Sequence, residues 1–237
     1  MTGNSVAIAN DLQAYYVQPA TGHPAPGLVV LMEAFGLTAH IKEICERLAG
    51  AGYAALAPDL YQGAVYDYAD MQSAIRHLTT LKDEQMANVI GASLDWLAAK
   101  PQVDENRLGT MGFCMGGRLA FLGALAHPQR VKTTICFYGG GIGTDKDALG
   151  RAPLLLRVAE LQASVLLHYG TEDPMITPQE HGRLASALSM AKKRYALHVY
   201  PQANHGFMCP ERASYHAVAA SQAWQVSCDF LKQVWDN

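Results

Sequence analysis

Cys114 stands where a side chain could do chemistry. It is the centre of Gly112-Phe113-Cys114-Met115-Gly116-Gly117, between an apolar run suited to a strand and one suited to a helix. A G-x-C-x-G-G turn at such a junction needs small flanking residues, because its central residue is strained and neighbouring chain comes close. A thiol held there, clear of a sheet and at a helix N-terminus, is placed to act as a nucleophile, and the Met115 amide is placed to face a developing oxyanion. An isolated cysteine beside a glycine-rich turn is more often a small core residue, so the assignment depends on partners.

A nucleophilic thiol needs a base, and the base needs an acid to orient it. His205 lies in Ala203-Asn204-His205-Gly206-Phe207, on a loop after a strand candidate and next to a glycine. His168 falls inside a strand candidate, His127 precedes Pro128 at a helix end, and His181 and His216 fall in helix candidates. For the acid, Gly170-Thr171-Glu172-Asp173-Pro174 follows another strand candidate. Asp173 is preferred because the Asp-Pro step fixes a turn directly after it; Glu172 competes. Glu33 closes the apolar run Leu28–Met32, a place where a carboxylate is uncommon unless solvated or functional. No His-x-x-x-His, His-x-His or CxxC pair occurs, so no metal centre is expected.

The elements that must carry these residues alternate. Leu28–Met32 is a continuous apolar run with turn signals around it, as a buried parallel strand requires, and Tyr53–Ala57, Arg107–Gly112, Thr133–Tyr138, Val165–Tyr169 and Leu197–Tyr200 are further strand candidates. Helices are predicted over Thr38–Gly50, Met115–His127 and Pro178–Ala191, and over Arg212–Trp235 as a long amphipathic tail. Met86, Val89, Ile90, Leu94 and Leu97 form one further helical face. Strands alternating with helices predict an α/β fold, a mostly parallel central sheet with helices on both faces. The stretch 1–27 is read as edge strands, with a hairpin from Val6 to Val17. Sites in such sheets lie at the carboxyl ends of strands, which points to the segments after Met32, Met111, Tyr169 and Tyr200.

The 237 residues suit a single domain over 1–237; half are apolar and 16% are charged, which supports a packed core and argues against disorder. The net charge of −3 and the lack of basic runs argue against a nucleic-acid partner. Met1–Asn10 has no signal-peptide pattern and no apolar run is long enough to span a bilayer. Five scattered cysteines do not make a disulfide framework. A cytoplasmic enzyme without a membrane partner, monomeric or a small homo-oligomer, is the resulting expectation.

Four segments, Met32-Glu33-Ala34-Phe35-Gly36, Pro58-Asp59-Leu60-Tyr61, Gly112-Phe113-Cys114-Met115-Gly116-Gly117 and Asn204-His205-Gly206-Phe207, together resemble the dienelactone hydrolase family of α/β-hydrolases. The resemblance implies the α/β-hydrolase fold and cleavage of a lactone or small ester without a cofactor. It implies Cys114 as nucleophile, Asp173 as acid and His205 as base. Glu33 would tune the thiol, and the Ala34 and Met115 amides would form the oxyanion hole. It also implies arginines that bind a substrate carboxylate. One such position, four residues after the histidine, is Cys209 here. Arg212 is near but out of register, and Arg76 is the candidate for the other; Phe35 is a further substrate-binding candidate. The segment Gly143–Ala163 is longer than the family's usual connection and is read as a cap-like insertion, or else a surface helix on the core. A broad-range esterase, including activated aryl or phosphorus esters, is the alternative; a thiol redox sensor or a non-catalytic binding protein ranks below it.

Overall fold

The computed structural model describes residues 2–9, 12–20, 22–144 and 149–235. Its strands are β1 (Asn4–Ala7), β2 (Gln13–Val17), β3 (Ala25–Leu31), β4 (Ala54–Pro58), β5 (Val103–Phe113), β6 (Val131–Phe137), β7 (Ser164–Gly170) and β8 (Tyr195–Tyr200). The helices are α1 (Ala39–Gly50), α2 (Met71–Leu78), α3 (Asp83–Ala98), α4 (Met115–Ala126), α5 (Pro178–Met190) and α6 (Ala217–Trp235). One sheet holds all these strands in the order β1-β2-β4-β3-β5-β6-β7-β8. β1 and β2 pair antiparallel at one edge, β2 runs antiparallel to β4, and the rest of the sheet is parallel. Every residue of β3 and β7 is buried, which is why these strands read as unbroken apolar runs rather than as alternation.

Three differences from the sequence reading have local causes. β3 starts at Ala25 and passes through Pro26, because a register shift between Ala25 and Gly27 tolerates the missing amide hydrogen. α2 is absent from the sequence reading. It is a short helix whose start is fixed by Asp70, the side chain of which accepts from the Ser73 amide at 3.1 Å. The C-terminal helix starts at Ala217, not at Arg212. The chain from Arg212 turns first, and His216, read as helical, instead accepts the Ala219 amide hydrogen on Nδ1 at 3.1 Å and so caps α6.

Of the segment Gly143–Ala163, residues 145–148 lie outside the described residues. The remainder includes a 3-10 helix, Leu155–Glu160, packed on α4 and α5 with Leu154, Val158 and Leu161 buried. Arg118 of α4 is fully buried and reaches outward to Asp83 at the start of α3, two parallel contacts of 2.6 and 2.8 Å, and to the Ala152 carbonyl at 3.1 Å. The bidentate pair joins α4 to α3, and the Ala152 contact ties this segment to them.

His168 in β7 is also fully buried. Its ring stacks on Phe137 at 4.5 Å, its Nδ1 lies 2.9 Å from the Tyr200 hydroxyl and its Nε2 3.0 Å from the Ser227 hydroxyl. Ser227 spends its only hydroxyl hydrogen on the Ala223 carbonyl at 2.8 Å. It must therefore accept from His168, which fixes the Nε2–H tautomer, and Tyr200 donates to Nδ1. Among the described residues no helix is long and apolar enough to cross a membrane.

Candidate active site

The strand-to-helix turn at Cys114 is possible only because backbone meets backbone on both sides of it. A Cβ on Gly112 would lie 1.9 Å from the Gly116 carbonyl oxygen, and one on Gly116 would lie 2.0 Å from the Leu31 carbonyl oxygen. Neither contact is with a side chain that can move aside. Gly116→Ala is therefore expected to destabilise the protein by about 3 kcal/mol or more, the upper end of overpacking costs, measured as a fall in the urea midpoint. An unchanged midpoint would mean that α4 can slide on the sheet.

Between the glycines, Cys114 has φ 54° and ψ −117°. Such a conformation costs a non-glycine residue about 1–3 kcal/mol. The fold holds it there: the Cys114 amide donates to the Phe137 carbonyl at 3.0 Å, and the Gly117 amide donates to the Cys114 carbonyl at 3.0 Å. The side chain is left half-exposed. Met115 opens α4, so its amide belongs to the first turn and has no acceptor within the helix. The second amide expected to face an oxyanion belongs to the buried Ala34, on the turn after β3.

Asp173 lies on the loop between β7 and α5, and its two oxygens divide the work. Oδ1 accepts from the amides of Met175 and Ile176 at 2.9 and 3.2 Å, which holds the turn that Pro174 begins. Oδ2 accepts from His205 Nδ1 at 2.8 Å, with both side chains buried. Pairing with a carboxylate places the ring hydrogen on Nδ1 and leaves His205 Nε2 as the reactive nitrogen. Nε2 is buried without a hydrogen-bond partner. Burial disfavours the imidazolium, yet negative charge at the Cys114 sulfur and the Asp173 carboxylate outweighs it and pushes the His205 pKa up to about 10. Glu172, the competing acid, is exposed and accepts from the Thr171 hydroxyl at 3.3 Å.

Glu33 is fully buried at the end of β3. Burial raises its pKa; the charges of Arg212 and His205 and the nearby Tyr138 hydroxyl oppose that rise. Arg212 donates to Glu33 Oε1 at 3.1 Å while its guanidinium lies over the Phe35 ring at 5.4 Å. Arg212 reaches this place across Gly206, whose φ is +82° and whose Cβ, if present, would lie 2.1 Å from Arg212 Nη1. The glycine after His205 is thus a passage for the arginine as well as a turn. Cys209, at the position where the resemblance implies an arginine, is fully buried in the same loop.

The structure therefore gathers Cys114, His205, Asp173, Glu33, Ala34, Phe35 and Arg212, and leaves Arg76 apart. Arg76 is exposed on α2 and donates to the Ser73 hydroxyl at 2.9 Å. Two tyrosines were given no place in the site by the sequence reading. Tyr138, at the carboxyl end of β6 with φ 38°, packs edge-on against His205 at 5.1 Å. Tyr61 packs its ring on His77 at 3.9 Å and places its hydroxyl 4.0 Å from Met115 Sδ, beside the Cys114 turn. The rule of strand carboxyl ends would have found Tyr138 had it been applied to β6 as well.

The profile of the family described as "Dienelactone hydrolase family" matches residues 12–235. The chain belongs to the dienelactone hydrolase family. Its place there is supported by a Methylorubrum extorquens protein provisionally named carboxymethylenebutenolidase, 36% identical over 225 residues, 94% of this chain and 77% of that protein. Among solved structures, a provisionally described dienelactone hydrolase from Klebsiella pneumoniae is 31% identical, covers 98% of both chains and superposes with a TM-score of 0.89. A dienelactone hydrolase-like promiscuous phosphotriesterase from metagenomic libraries is 27% identical over 98% of both chains, with a TM-score of 0.84. As a dienelactone hydrolase family member with the α/β-hydrolase fold, the protein is a carboxylic ester hydrolase.

Proposed function

We propose that the protein opens lactones or cleaves small carboxylic esters through a Cys114–His205–Asp173 triad. The observation that carries this reading is the 2.8 Å Asp173–His205 contact, with the unpartnered Nε2 beside a half-exposed thiol on a strained turn. In the first step the sulfur attacks the ester carbonyl carbon while His205 Nε2 holds the Cys114 proton. The Ala34 and Met115 amides stabilise the oxyanion. The C–O bond then breaks, the leaving alkoxide takes the proton from Nε2, and an acyl-thioester remains on Cys114. In a lactone the new hydroxyl stays on the acyl group. His205 next deprotonates water, which attacks the thioester, and Cys114 leaves with the proton returned to it.

Glu33 acts on the thiol and Arg212 on the substrate. A substrate carboxylate that draws Arg212 away would remove the main charge compensation of Glu33, whose freed charge would then favour the Cys114 proton on His205. Glu33→Gln is accordingly expected to change the pH profile of Cys114 alkylation by iodoacetamide as well as the rate of turnover. An unaltered alkylation profile would reduce Glu33 to a structural partner of Arg212.

Substrate class is decided by kcat/KM for a dienelactone against a neutral aryl ester of similar size. A charge-assisted hydrogen bond contributes about 1.5–3 kcal/mol, so Arg212→Ala should lower the dienelactone-to-ester ratio by about ten- to a hundredfold. Taking the ratio cancels what the variant does to both substrates through Glu33. Equal losses on both substrates would remove Arg212 as a carboxylate binder. A broad-range esterase is favoured by two observations: Arg212 is already engaged by Glu33, and a neighbour of the same fold is named a promiscuous phosphotriesterase. Wild-type turnover of an aryl phosphotriester at a rate near that of the lactone would select that second reading.

A further inference from the structure

Behind the Cys114 turn, Glu33, His40 and Cys209 come together from three separate segments: the end of β3, the first turn of α1 and the loop before α6. Each places one ligand atom within 4.8 Å of the other two, and all three residues are buried. Two polar atoms of this group are buried without a hydrogen-bond partner, Glu33 Oε2 and His40 Nε2. Orphaned buried polar atoms are costly unless something meets them; the Tyr138 hydroxyl lies near the same carboxylate, and the His40 nitrogen has no hydrogen-bond partner. Arg212 occupies only the other oxygen, Oε1. The Tyr68 hydroxyl, which donates to Thr38 Oγ1 at 3.3 Å, completes the polar wall beside Cys209.

We propose that Glu33, His40 and Cys209 form a binding site for a borderline divalent transition cation of the zinc class. One oxygen, one imidazole nitrogen and one thiolate are the donors such an ion selects. Tetrahedral zinc separates such ligands by about 3.4–3.6 Å at ordinary bond lengths, so the three side chains must close by about an ångström, within the reach of χ rotations. On binding, the Cys209 thiol releases its proton to solvent, and carboxylate and thiolate together balance the two charges of the ion. Arg212 can remain on Oε1 or leave. A fourth position stays open for water. The ion would immobilise Glu33 and hold the hydrolase inactive. That consequence, unlike the binding itself, rests on the role proposed above for Glu33.

The binding test uses cobalt(II) chloride as the probe and the Cys114→Ala protein, so that the elbow thiol cannot ligate. One equivalent should bind with a thiolate-to-cobalt absorption band. Cys209→Ser in that background should abolish the band, and His40→Gln should weaken binding at least about tenfold, as removing metal-site partners does. A missing band in Cys114→Ala, or a band that persists without Cys209, overturns the site. Cys209→Ala replaces the serine variant if that protein does not fold. In the otherwise wild-type enzyme, zinc chloride should inhibit ester hydrolysis, a chelator should restore it, and Cys209→Ser should raise the inhibitory concentration at least about tenfold. Inhibition unaffected by Cys209→Ser would place the inhibitory zinc on Cys114 and His205 and overturn the proposed inhibition through Glu33. Cobalt binding without zinc inhibition would uphold the site and remove Glu33 from the mechanism.

Discussion

Cys114→Ala is expected to lower kcat/KM for an aryl ester by about 10⁴-fold or more, the scale on which nucleophile deletions act, and to leave the urea midpoint near that of the wild type. The rate falls because no acyl intermediate can form. What remains is the catalysis of the oxyanion amides and of binding. Stability is retained because the turn is set by Gly112, Gly116 and the Phe137 carbonyl, and alanine suffers the same strain at φ 54° that cysteine does. The same variant carries a second readout. His205 is held at a pKa of about 10 by negative charge at Cys114 and at Asp173, against burial. Without the sulfur, its pKa should fall, and a histidine titration followed by NMR will show the direction. Substantial residual esterase activity would remove the covalent mechanism; an unmoved titration would place Cys114 away from His205.

Asp173→Asn is expected to cost up to about 10⁴-fold in kcat, as loss of the triad carboxylate does elsewhere, while Glu172→Gln stays near the wild-type rate. An asparagine can keep Oδ1 on the Met175 and Ile176 amides, so the turn survives. Its NH2 group, turned toward His205, would donate to Nδ1 and force the proton onto Nε2, the nitrogen that must accept from the thiol. The comparison separates the two acids because Asp173 is buried against the imidazole and Glu172 is exposed. A greater loss in Glu172→Gln would reverse the assignment.

That Cys114, Asp173, His205 and Glu33 would meet at one end of the sheet was legible in the sequence for one physical reason. Each lies past a strand, three of them largely buried and the fourth, β8, only partly so, and the carboxyl ends of parallel strands converge on one crevice. Arg212 could be placed only as out of register. The amphipathic pattern that marks α6 extends back to it, and nothing local signals that His216 caps the helix five residues later than the pattern suggests. Its pairing with Glu33 spans 179 residues and depends on the path across Gly206. Arg76 was suggested by proximity in an unaligned stretch, but α2 turns it to solvent. The Glu33–His40–Cys209 cluster lay beyond reach for a related reason. Spacing rules find metal ligands that share a helix or a knuckle, and these three share neither.

The tautomer of His168 sets an acid boundary on the whole fold. With Nε2 donating to Ser227 and Nδ1 accepting from Tyr200, the ring has a partner for one hydrogen and no place for a second. Burial accordingly drives its pKa well below the usual value for histidine. The unfolded chain still takes up a proton near pH 6.5. Below that pH the unfolded state binds more protons than the native state, and each further unit of acidity costs up to about 1.4 kcal/mol from this one ring until it too is protonated. Protonating it in place would set a second N–H against the Tyr200 hydroxyl, where β7, β8 and α6 meet. Loosening in acid would thus begin at the seam joining the C-terminal helix to the sheet, with the nucleophile's strand still in place.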